Sequence, residues 1–241
     1  MKKFFKLLCL CCTFVFLSNG VVFAFNNESK NNNFTICIDP GHQNKGDSKL
    51  EPVDPNNSAM KPRVSSGTAG VGTKIPEYKI NLEAALILKD ILSDKDYNII
   101  MTREINEINI SNIERAKIAN DANADMTIRI HCDSINNSGK TGASILIPSK
   151  DGKFTGAIYE KSNEYAKALK ENLENSGVKV NGIFERKDIT GFNWSKVPVV
   201  LLEMGFMSNW NEDKMLADSN YQRKLMEAVA AALEDYKNKM Q

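Results

Sequence analysis

Short apolar runs alternate with longer segments of helical periodicity between residues 34 and 237, and this alternation constrains the fold more than any other feature. The predicted strands cover residues 34–39, 97–103, 126–131, 142–147, 178–184 and 199–204. The predicted helices cover residues 77–93, 111–123, 157–176 and 219–237. Strands that alternate with helices favour a mostly parallel, twisted sheet with helices on both faces. We therefore expect a single α/β domain whose strands tend to end at one shared edge.

Local sequence signals mark two helix ends. The segment between the first strand and the first helix shows neither helical nor strand periodicity. Ser111 and Glu114 form a capping-box pattern at a helix start, and Gly177 follows the helix predicted at 157–176. Residues 40–76 are rich in Gly, Pro, Ser and Asn, so we expect a long loop there. A loop of that length in a compact domain is usually functional or mobile.

The N-terminus predicts export from the cytoplasm. Lys2, Lys3 and Lys6 precede an apolar run at residues 7–17, and residues 22–24 form a small-x-small cleavage pattern. We interpret residues 1–24 as a signal peptide, with an uncleaved anchor as the alternative. Residues 25–33 are then a polar lead-in, and residues 34–241 form the folded domain. The expected location is secreted, on the cell-wall side of the cytoplasmic membrane.

Charge and cysteine content exclude several classes of protein. Loss of the three signal-peptide lysines leaves 28 of the 31 basic residues against 30 acidic ones. A nearly neutral domain gives no basis for binding nucleic acid, or for strong membrane association after signal cleavage. Only Cys37 and Cys132 remain in the mature chain, which is too few for a disulfide scaffold. Two buried free thiols are favoured, and a single disulfide stays open.

The two histidines of the chain both lie where a predicted strand ends. His42 follows the run 35–41, and His131 closes the run 126–130. Ligands of open α/β sheets bind at the carboxyl ends of strands. Glu203 closes a third apolar run, where a carboxylate must pair, neutralise or bind a metal. A salt bridge explains Glu203 equally well, and the helix dipole alone explains Glu77 at a helix start. Together these residues fit a catalytic zinc site with three protein ligands and a position for water.

These residues lie in motifs that resemble a known family. The motifs are Asp39-Pro40-Gly41-His42, Glu77 with Asn81-Leu82, Thr102-Arg103, Arg115 with Ala119-Asn120, Arg129-Ile130-His131, and the segment from Leu202 to Asn209. With them the chain resembles the zinc-dependent N-acetylmuramoyl-L-alanine amidases, the type 3 cell-wall hydrolases, from Thr35 to about Tyr236. Gln43 and Arg129 depart from the glycine and serine that are common in the family, and the 40–76 segment is longer.

The resemblance implies a site and a reaction. His42, Glu77 and His131 would bind one Zn²⁺ with its water, and Glu203 would be the catalytic carboxylate. The reaction would hydrolyse the amide between the lactyl group of N-acetylmuramic acid and the L-alanine of the stem peptide. The substrate is then peptidoglycan, in cell-wall or spore-cortex remodelling. No separate wall-binding domain is visible, which leaves room for an activator or targeting protein as a partner.

Two further residues are predicted to contact substrate. Arg129 lies two residues before His131 and therefore points to the same face of the strand. It could hold a stem-peptide carboxylate or Glu203, and a structural ion pair is the alternative. Asn193 lies in the polar and aromatic loop 188–196 that leads to the Glu203 strand, where amides could contact sugar or peptide.

Two other functions stay open at this point. A zinc peptidase that cuts within the stem peptide would need the same metal machinery. A non-catalytic wall-binding regulator of the same fold would be expected to lack a ligand or the base, yet all four candidate residues are present. The richness in Lys, Asn and Ile suggests an A·T-rich Gram-positive source.

Overall fold

The structure is a computed structural model that describes residues 33–56 and 59–240. The strands are β1 (Phe34–Pro40), β2 (Asp47–Pro52), β3 (Met60–Val64), β4 (Tyr97–Met101), β5 (Met126–Asp133), β6 (Ala143–Pro148), β7 (Val180–Arg186) and β8 (Val199–Phe206). The helices are α1 (Glu77–Ser93), α2 (Asn112–Asp121), α3 (Gly156–Asn175), α4 (Thr190–Asn193), α5 (Trp210–Leu216) and α6 (Ser219–Met240). The predicted signal peptide, and the polar lead-in apart from Asn33, lie outside the described residues.

The central sheet has six strands in the order β4-β1-β5-β8-β6-β7. The first four of these run parallel to one another, β6 pairs with β8 in the antiparallel sense, and β7 is parallel to β6. The predicted α/β fold with a mostly parallel sheet is confirmed. One edge of the sheet therefore collects the carboxyl ends of β1, β4, β5 and β8, whereas β6 and β7 run the opposite way.

Side chains along each strand alternate between two cores, as the period of two requires. Ile36 and Ile38 of β1 lie in the larger core, together with buried residues of α1, α3 and α6. Cys37 points to the other face and packs with Ala119 of α2. Cys132 belongs to the larger core, so both thiols are free and buried on different faces. The prediction of two buried free thiols is confirmed.

The expectation that residues 40–76 form a long loop is wrong in part, because they contain the hairpin β2–β3. Its sequence is polar and includes prolines, so no apolar alternation announces it. Contacts to α2 hold it: the Glu51 carboxylate accepts from Asn112 N at 3.1 Å, and Arg63 bridges Asp47 and Glu114. Sequence reasoning also missed the short helices α4 and α5.

Both local helix signals are confirmed. Ser111 Oγ accepts from Glu114 N, while the Glu114 carboxylate accepts from Ser111 N, so the capping box forms at the start of α2. Gly177 follows α3 with a φ of +78°, the left-handed conformation that favours glycine after a helix. None of the helices in the described ranges has the length and apolarity needed to cross a bilayer.

A buried carboxylate stands at the end of β1, where the sheet meets the loops. Asp39 Oδ1 accepts from Arg115 Nη1 at 2.7 Å and from Thr102 Oγ1 at 2.6 Å, and Oδ2 accepts from Arg129 Nε at 2.7 Å. Burial alone would raise the pKa of Asp39, but the two guanidinium groups outweigh it and hold that pKa well below its usual range. Asp39 is therefore ionised and shared by two buried arginines.

We predict that Asp39→Asn lowers the free energy of unfolding by about 3–5 kcal/mol at pH 7, because it leaves two buried guanidinium groups without their counter-charge. A depressed folded-state pKa stabilises the fold fully above the unfolded pKa of about 3.9, and that contribution is lost as the pH falls further. The gap between variant and wild type should thus be constant from about pH 7 to 5 and narrow below about pH 4.

Urea unfolding across this pH range measures the gap. Asp121→Asn is the matched control, because Asp121 is exposed and pairs with Lys117 on the surface of α2, an interaction of less than about 1 kcal/mol. Equal stability of Asp39→Asn and wild type at pH 7 would contradict the prediction.

Candidate metal centre and active site

His42 is held in an unusual backbone conformation at the end of β1. Its φ is +61°, in the left-handed region that costs free energy for a non-glycine residue. Two arginines fix the turn through backbone carbonyls: Arg103 donates to Pro40 O and Gly41 O, and Arg115 donates to Pro40 O and His42 O. These contacts explain why the family motifs include Arg103 and Arg115. The two arginines hold the backbone of the turn so that the His42 ring points across the edge of the sheet.

Three ligand atoms meet in front of this edge. His42 Nε2 lies 3.1 Å from Glu77 Oε1, His131 Nδ1 lies 3.3 Å from the same oxygen, and the two ring nitrogens are 3.2 Å apart. A tetrahedral zinc ion with ligand bonds of about 2.0–2.1 Å spaces its ligand atoms by about 3.3–3.4 Å. The near-equilateral triangle matches one face of that tetrahedron, so the spacing fits zinc.

The chemistry of the three atoms also fits a cation. His42 Nδ1 lies 3.0 Å from both Ser65 O and Ser65 Oγ. The carbonyl can only accept and the hydroxyl can accept as well, so a proton on Nδ1 satisfies both contacts and Nε2 then turns a lone pair into the triangle. Burial lowers the pKa of His131 to about 4, which leaves this imidazole neutral. Burial acts to raise the pKa of Glu77, but its hydrogen bonds and charge contacts with the histidines hold it well below the usual value. A carboxylate oxygen and the lone pair of His42 Nε2 thus converge beside a neutral imidazole, an arrangement that a bound cation would stabilise.

Glu77 is held by donors from three different parts of the chain. Its Oε1 accepts from Asn81 Nδ2 and from Cys132 N, both at 3.1 Å, and its Oε2 accepts from Thr68 N at 3.0 Å. Asn81 also donates to Gly41 O, so it ties the start of α1 to the His42 turn. Hydrogen bonds to the atoms of a metal ligand fix its orientation, which explains the asparagine that follows Glu77 by one helical turn.

Two glycines leave the space that the triangle needs. A Cβ on Gly41 would collide with the imidazole of His131. A Cβ on Gly67, whose φ is +80°, would lie 2.5 Å from Glu77 Oε2 and 2.9 Å from the His42 ring. The backbone at both positions therefore packs directly against the candidate ligands.

Glu203 stands next to the triangle because β5 and β8 are neighbours in the sheet. His131 and Glu203 are register partners, so their Cα atoms face each other across the strand pair. Glu203 Oε2 is buried and has no hydrogen-bond partner within the part of the chain that the structure describes. Burial, followed by the charges of Glu77 and Asp133, raises the pKa of Glu203 well above its usual value, while Arg129 and Arg186 act in the opposite direction.

Comparison with known proteins agrees with this geometry. The family model for N-acetylmuramoyl-L-alanine amidase matches residues 36–235. The chain belongs to this family. It is an N-acetylmuramoyl-L-alanine amidase, a hydrolase of peptidoglycan, and the reaction class expected from the sequence is confirmed.

Individual relatives come from several bacteria. The germination-specific N-acetylmuramoyl-L-alanine amidase of Bacillus subtilis is 29% identical over 176 residues, which cover 66% of this amidase and 70% of that relative. The amidase Rv3717 of Mycobacterium tuberculosis is 25% identical over 203 residues, which cover 80% of this chain and 82% of the relative.

Solved structures share the fold. Ami1 of Mycobacterium smegmatis superposes with a TM-score of 0.78 at 23% identity, covering 86% of this amidase and 97% of that chain. The CwlD amidase of Clostridioides difficile, solved in complex with the GerS lipoprotein, gives a TM-score of 0.64 at 25% identity, covering 86% and 100% of the two chains.

The structure gives the two predicted substrate residues different surroundings. Arg129 lines the same cleft of about 280 Å³ as His42, His131 and Glu203, but its Nε is bonded to Asp39 in the structural ion pair that the sequence left open. Asn193 is buried, and its amide nitrogen donates to Val53 O and Lys187 O. Contact of either residue with substrate stays a prediction.

Sequence reasoning missed part of the cleft wall. Lys61 of β3, Arg186 of β7 and Asn112 of α2 line the cleft with Glu203. Lys61 reaches it only because the hairpin folds over the edge, and Lys61 Nζ donates to Asp188 O at 2.8 Å. Arg186 forms a paired hydrogen bond with the Asp188 carboxylate. A lysine in an aperiodic segment gave no signal that could have placed it there.

We predict that Gly41→Ala disrupts metal binding while the fold persists, because the new methyl group displaces the His131 ring. Metal content after dialysis against zinc should fall well below one equivalent, while the far-ultraviolet circular dichroism stays that of the wild type. Gly156→Ala is the control: the nearest neighbour of its new Cβ would be Lys150 O at 3.4 Å, an ordinary contact. A full equivalent of zinc in Gly41→Ala would show that the close approach is unimportant.

Proposed function

We propose that this amidase holds one Zn²⁺ through His42 Nε2, His131 Nδ1 and a carboxylate oxygen of Glu77, and that Glu203 transfers the proton during hydrolysis. The bond cleaved is the amide between the lactyl group of N-acetylmuramic acid and the L-alanine of the stem peptide. The observation that carries the proposal is the triangle of ligand atoms beside a buried, unpartnered carboxyl oxygen on the adjacent strand.

Each residue has a defined task in this scheme. A zinc ion bound here would supply a Lewis acid and lower the pKa of its water toward about 7. Glu203 would accept the proton of the attacking water at Oε2, which has no other partner among the described residues, and return it to the leaving nitrogen of L-alanine. A carboxyl group whose environment favours the protonated form is suited to hold that proton between the two transfers. The products are a lactyl carboxylate and a free alanine amine.

Arg129 would act on Glu203 through its charge. Its charge opposes the rise in the pKa of Glu203 and so favours the ionised form, which can accept a proton. Asp39 fixes the guanidinium through Nε, and Asn112 Oδ1 accepts from Nη2 at 3.2 Å. Arg129 also faces the cleft, so a stem-peptide carboxylate within reach is part of the proposal.

The proposed site of action follows from the substrate, and the proposed partner follows from a solved complex of a relative. We propose that the protein is exported and acts on the cell-wall side of the membrane of a Gram-positive bacterium, where peptidoglycan lies. The germination-specific relative supports a role in the spore cortex, and the CwlD complex with a lipoprotein supports a partner of that kind. Vegetative wall turnover is the second candidate role.

Product analysis separates the amidase from a peptidase that cuts within the stem peptide. We predict that purified protein with zinc releases stem peptides that begin with a free L-alanine amine and leaves intact lactyl carboxylates on the glycan. Mass spectrometry of vegetative and spore peptidoglycan after digestion measures this. Fragments cut between stem-peptide residues would favour the peptidase, and no cleavage at all would favour a wall-binding regulator.

We predict that Glu203→Gln retains zinc but loses cleavage by about 10²–10⁴-fold, because the amide cannot accept the proton. His131→Ala, by contrast, should lose the metal itself. Zinc content and product release are measured side by side, with Glu171→Gln on the exposed face of α3 as the matched control. Near-normal cleavage by Glu203→Gln would remove Glu203 from the mechanism, and undiminished zinc in His131→Ala would refute the ligand set.

A further inference from the structure

We propose that Asp213 of α5 is a positioning residue for the metal centre, because its hydrogen bonds hold the turn at residues 70–73 in place. This inference rests on the zinc site proposed above. Asp213 touches none of the ligands, and it lies on the helix that follows the Glu203 strand. It acts on the loop whose backbone holds His42 and Glu77.

Asp213 is fully buried, and the structure gives its carboxylate three short hydrogen bonds from the turn. Oδ2 accepts from Gly72 N and from Thr73 N, both at 2.7 Å, and Oδ1 accepts from Thr73 Oγ1 at 2.6 Å. All three donors are uncharged. A carboxylate taken out of water is costly, and no ion pair joins Asp213 to a basic side chain among the described residues. Its place in the first turn of α5 and these hydrogen bonds must offset that cost. The burial of this charge therefore depends on the turn being in place.

The turn is continuous with the backbone that orients the metal ligands. Five to eight residues upstream of Thr73, Ser65 O accepts from His42 Nδ1 and Thr68 N donates to Glu77 Oε2. Glu77 N in turn donates to Thr68 O, and Ala69 forms a bridge with Pro76. Residues 65–77 therefore form a closed strap around both ligands, and its tip is the turn that Asp213 holds.

The strap and α5 are packed so closely that glycine is required on the strap side. A Cβ on Gly70 would collide with the Asp213 carboxylate, and a Cβ on Gly72 would lie 2.7 Å from the Trp210 ring. Val71 N donates to Met207 O, which attaches the same turn to the residue after β8. The tip of the strap is therefore fixed against one surface, and Asp213 provides the polar part of that attachment.

The helix α5 is itself fixed to the sheet, so it can serve as a rigid support. Asn209 Oδ1 caps it by accepting from Asn211 N and Glu212 N. The neighbouring carboxylate of Glu212 accepts from Gly142 N at 2.6 Å and from Phe206 N at 2.7 Å, which binds α5 to the ends of β6 and β8. A path of direct contacts thus leads from the Glu203 strand through α5 and the strap to His42 and Glu77.

The test compares zinc affinity in Asp213→Asn and wild type, measured by competition with a chromophoric chelator at a temperature where circular dichroism shows both to be folded. Asparagine keeps the size but removes the negative charge. Its amide nitrogen must face either the two backbone amides or the Thr73 hydroxyl, which already accepts from Ile75 N. We expect the dissociation constant for Zn²⁺ to rise about tenfold, the lower end of the range for groups that hydrogen-bond metal ligands directly, because Asp213 acts one contact further away. The visible spectrum of the Co²⁺-loaded variant should also change, which a loss of global stability alone would not cause.

A matched control and a metal-free measurement complete the design. Asp218→Asn changes an aspartate that accepts from Asn220 N at the start of α6, and its zinc affinity should equal that of wild type. In chelator, hydrogen exchange of the strap amides, Thr68 N included, should be faster in Asp213→Asn than in wild type. This second readout needs no metal, so it tests the strap even if the zinc site fails.

The outcomes separate the two proposals. A folded Asp213→Asn with the zinc affinity and strap protection of wild type would overturn the positioning role. If that variant does not fold, Thr73→Val decides. It removes the hydroxyl that donates to Asp213 and accepts a long hydrogen bond from Ile75 N, and it leaves the two backbone donors in place. Weaker zinc binding supports the role and unchanged binding overturns it. Wild-type protein that binds no zinc would instead refute the metal centre, and the role of Asp213 toward it would fall too.

Discussion

The shared, buried carboxylate of Asp39 is the interaction on which the catalytic edge depends. It pairs with Arg115, which donates to the carbonyl of His42, and with Arg129, which lies on the neighbouring strand β5 two residues before His131. One charge thus connects the turn that carries the first candidate ligand to the strand that carries another. Because all three groups are buried, removal of Asp39 leaves both guanidinium groups without their counter-charge, and the left-handed conformation of His42 loses its support.

Much of the architecture was predictable because it rests on short-range signals. Alternating apolar residues such as Ile36 and Ile38 mark a strand, and the Ser111–Glu114 box marks a helix start without any knowledge of the fold. The histidines and Glu203 stood out because each closes an apolar run, where a polar group needs a partner. Glu77 did not stand out, since a helix start explains an acidic residue by itself. Only its resemblance to a family motif raised it, and the structure then places it between both histidines.

The remaining features depend on contacts between residues far apart in the chain, which periodicity does not encode. The hairpin β2–β3 has no apolar alternation and is stabilised by α2, which follows it by some fifty residues. Asp213 and its turn are separated by about 140 residues. The antiparallel direction of β6 relative to β8 depends on how the strands pair, and the composition of a strand does not encode its direction. Asn193 is the opposite case, because its loop was predicted to contact substrate. Its amide instead joins two backbone segments, and the local sequence could not reveal these contacts.

The central claim is that two imidazoles and one carboxylate at the sheet edge bind a single zinc ion. Crystals grown with zinc, with diffraction data collected on both sides of the zinc absorption edge, test it most directly. The account predicts one strong anomalous peak about 2.0–2.1 Å from His42 Nε2, from His131 Nδ1 and from an oxygen of Glu77. A peak bonded to other side chains, or no peak at this edge despite bound zinc in solution, would contradict it.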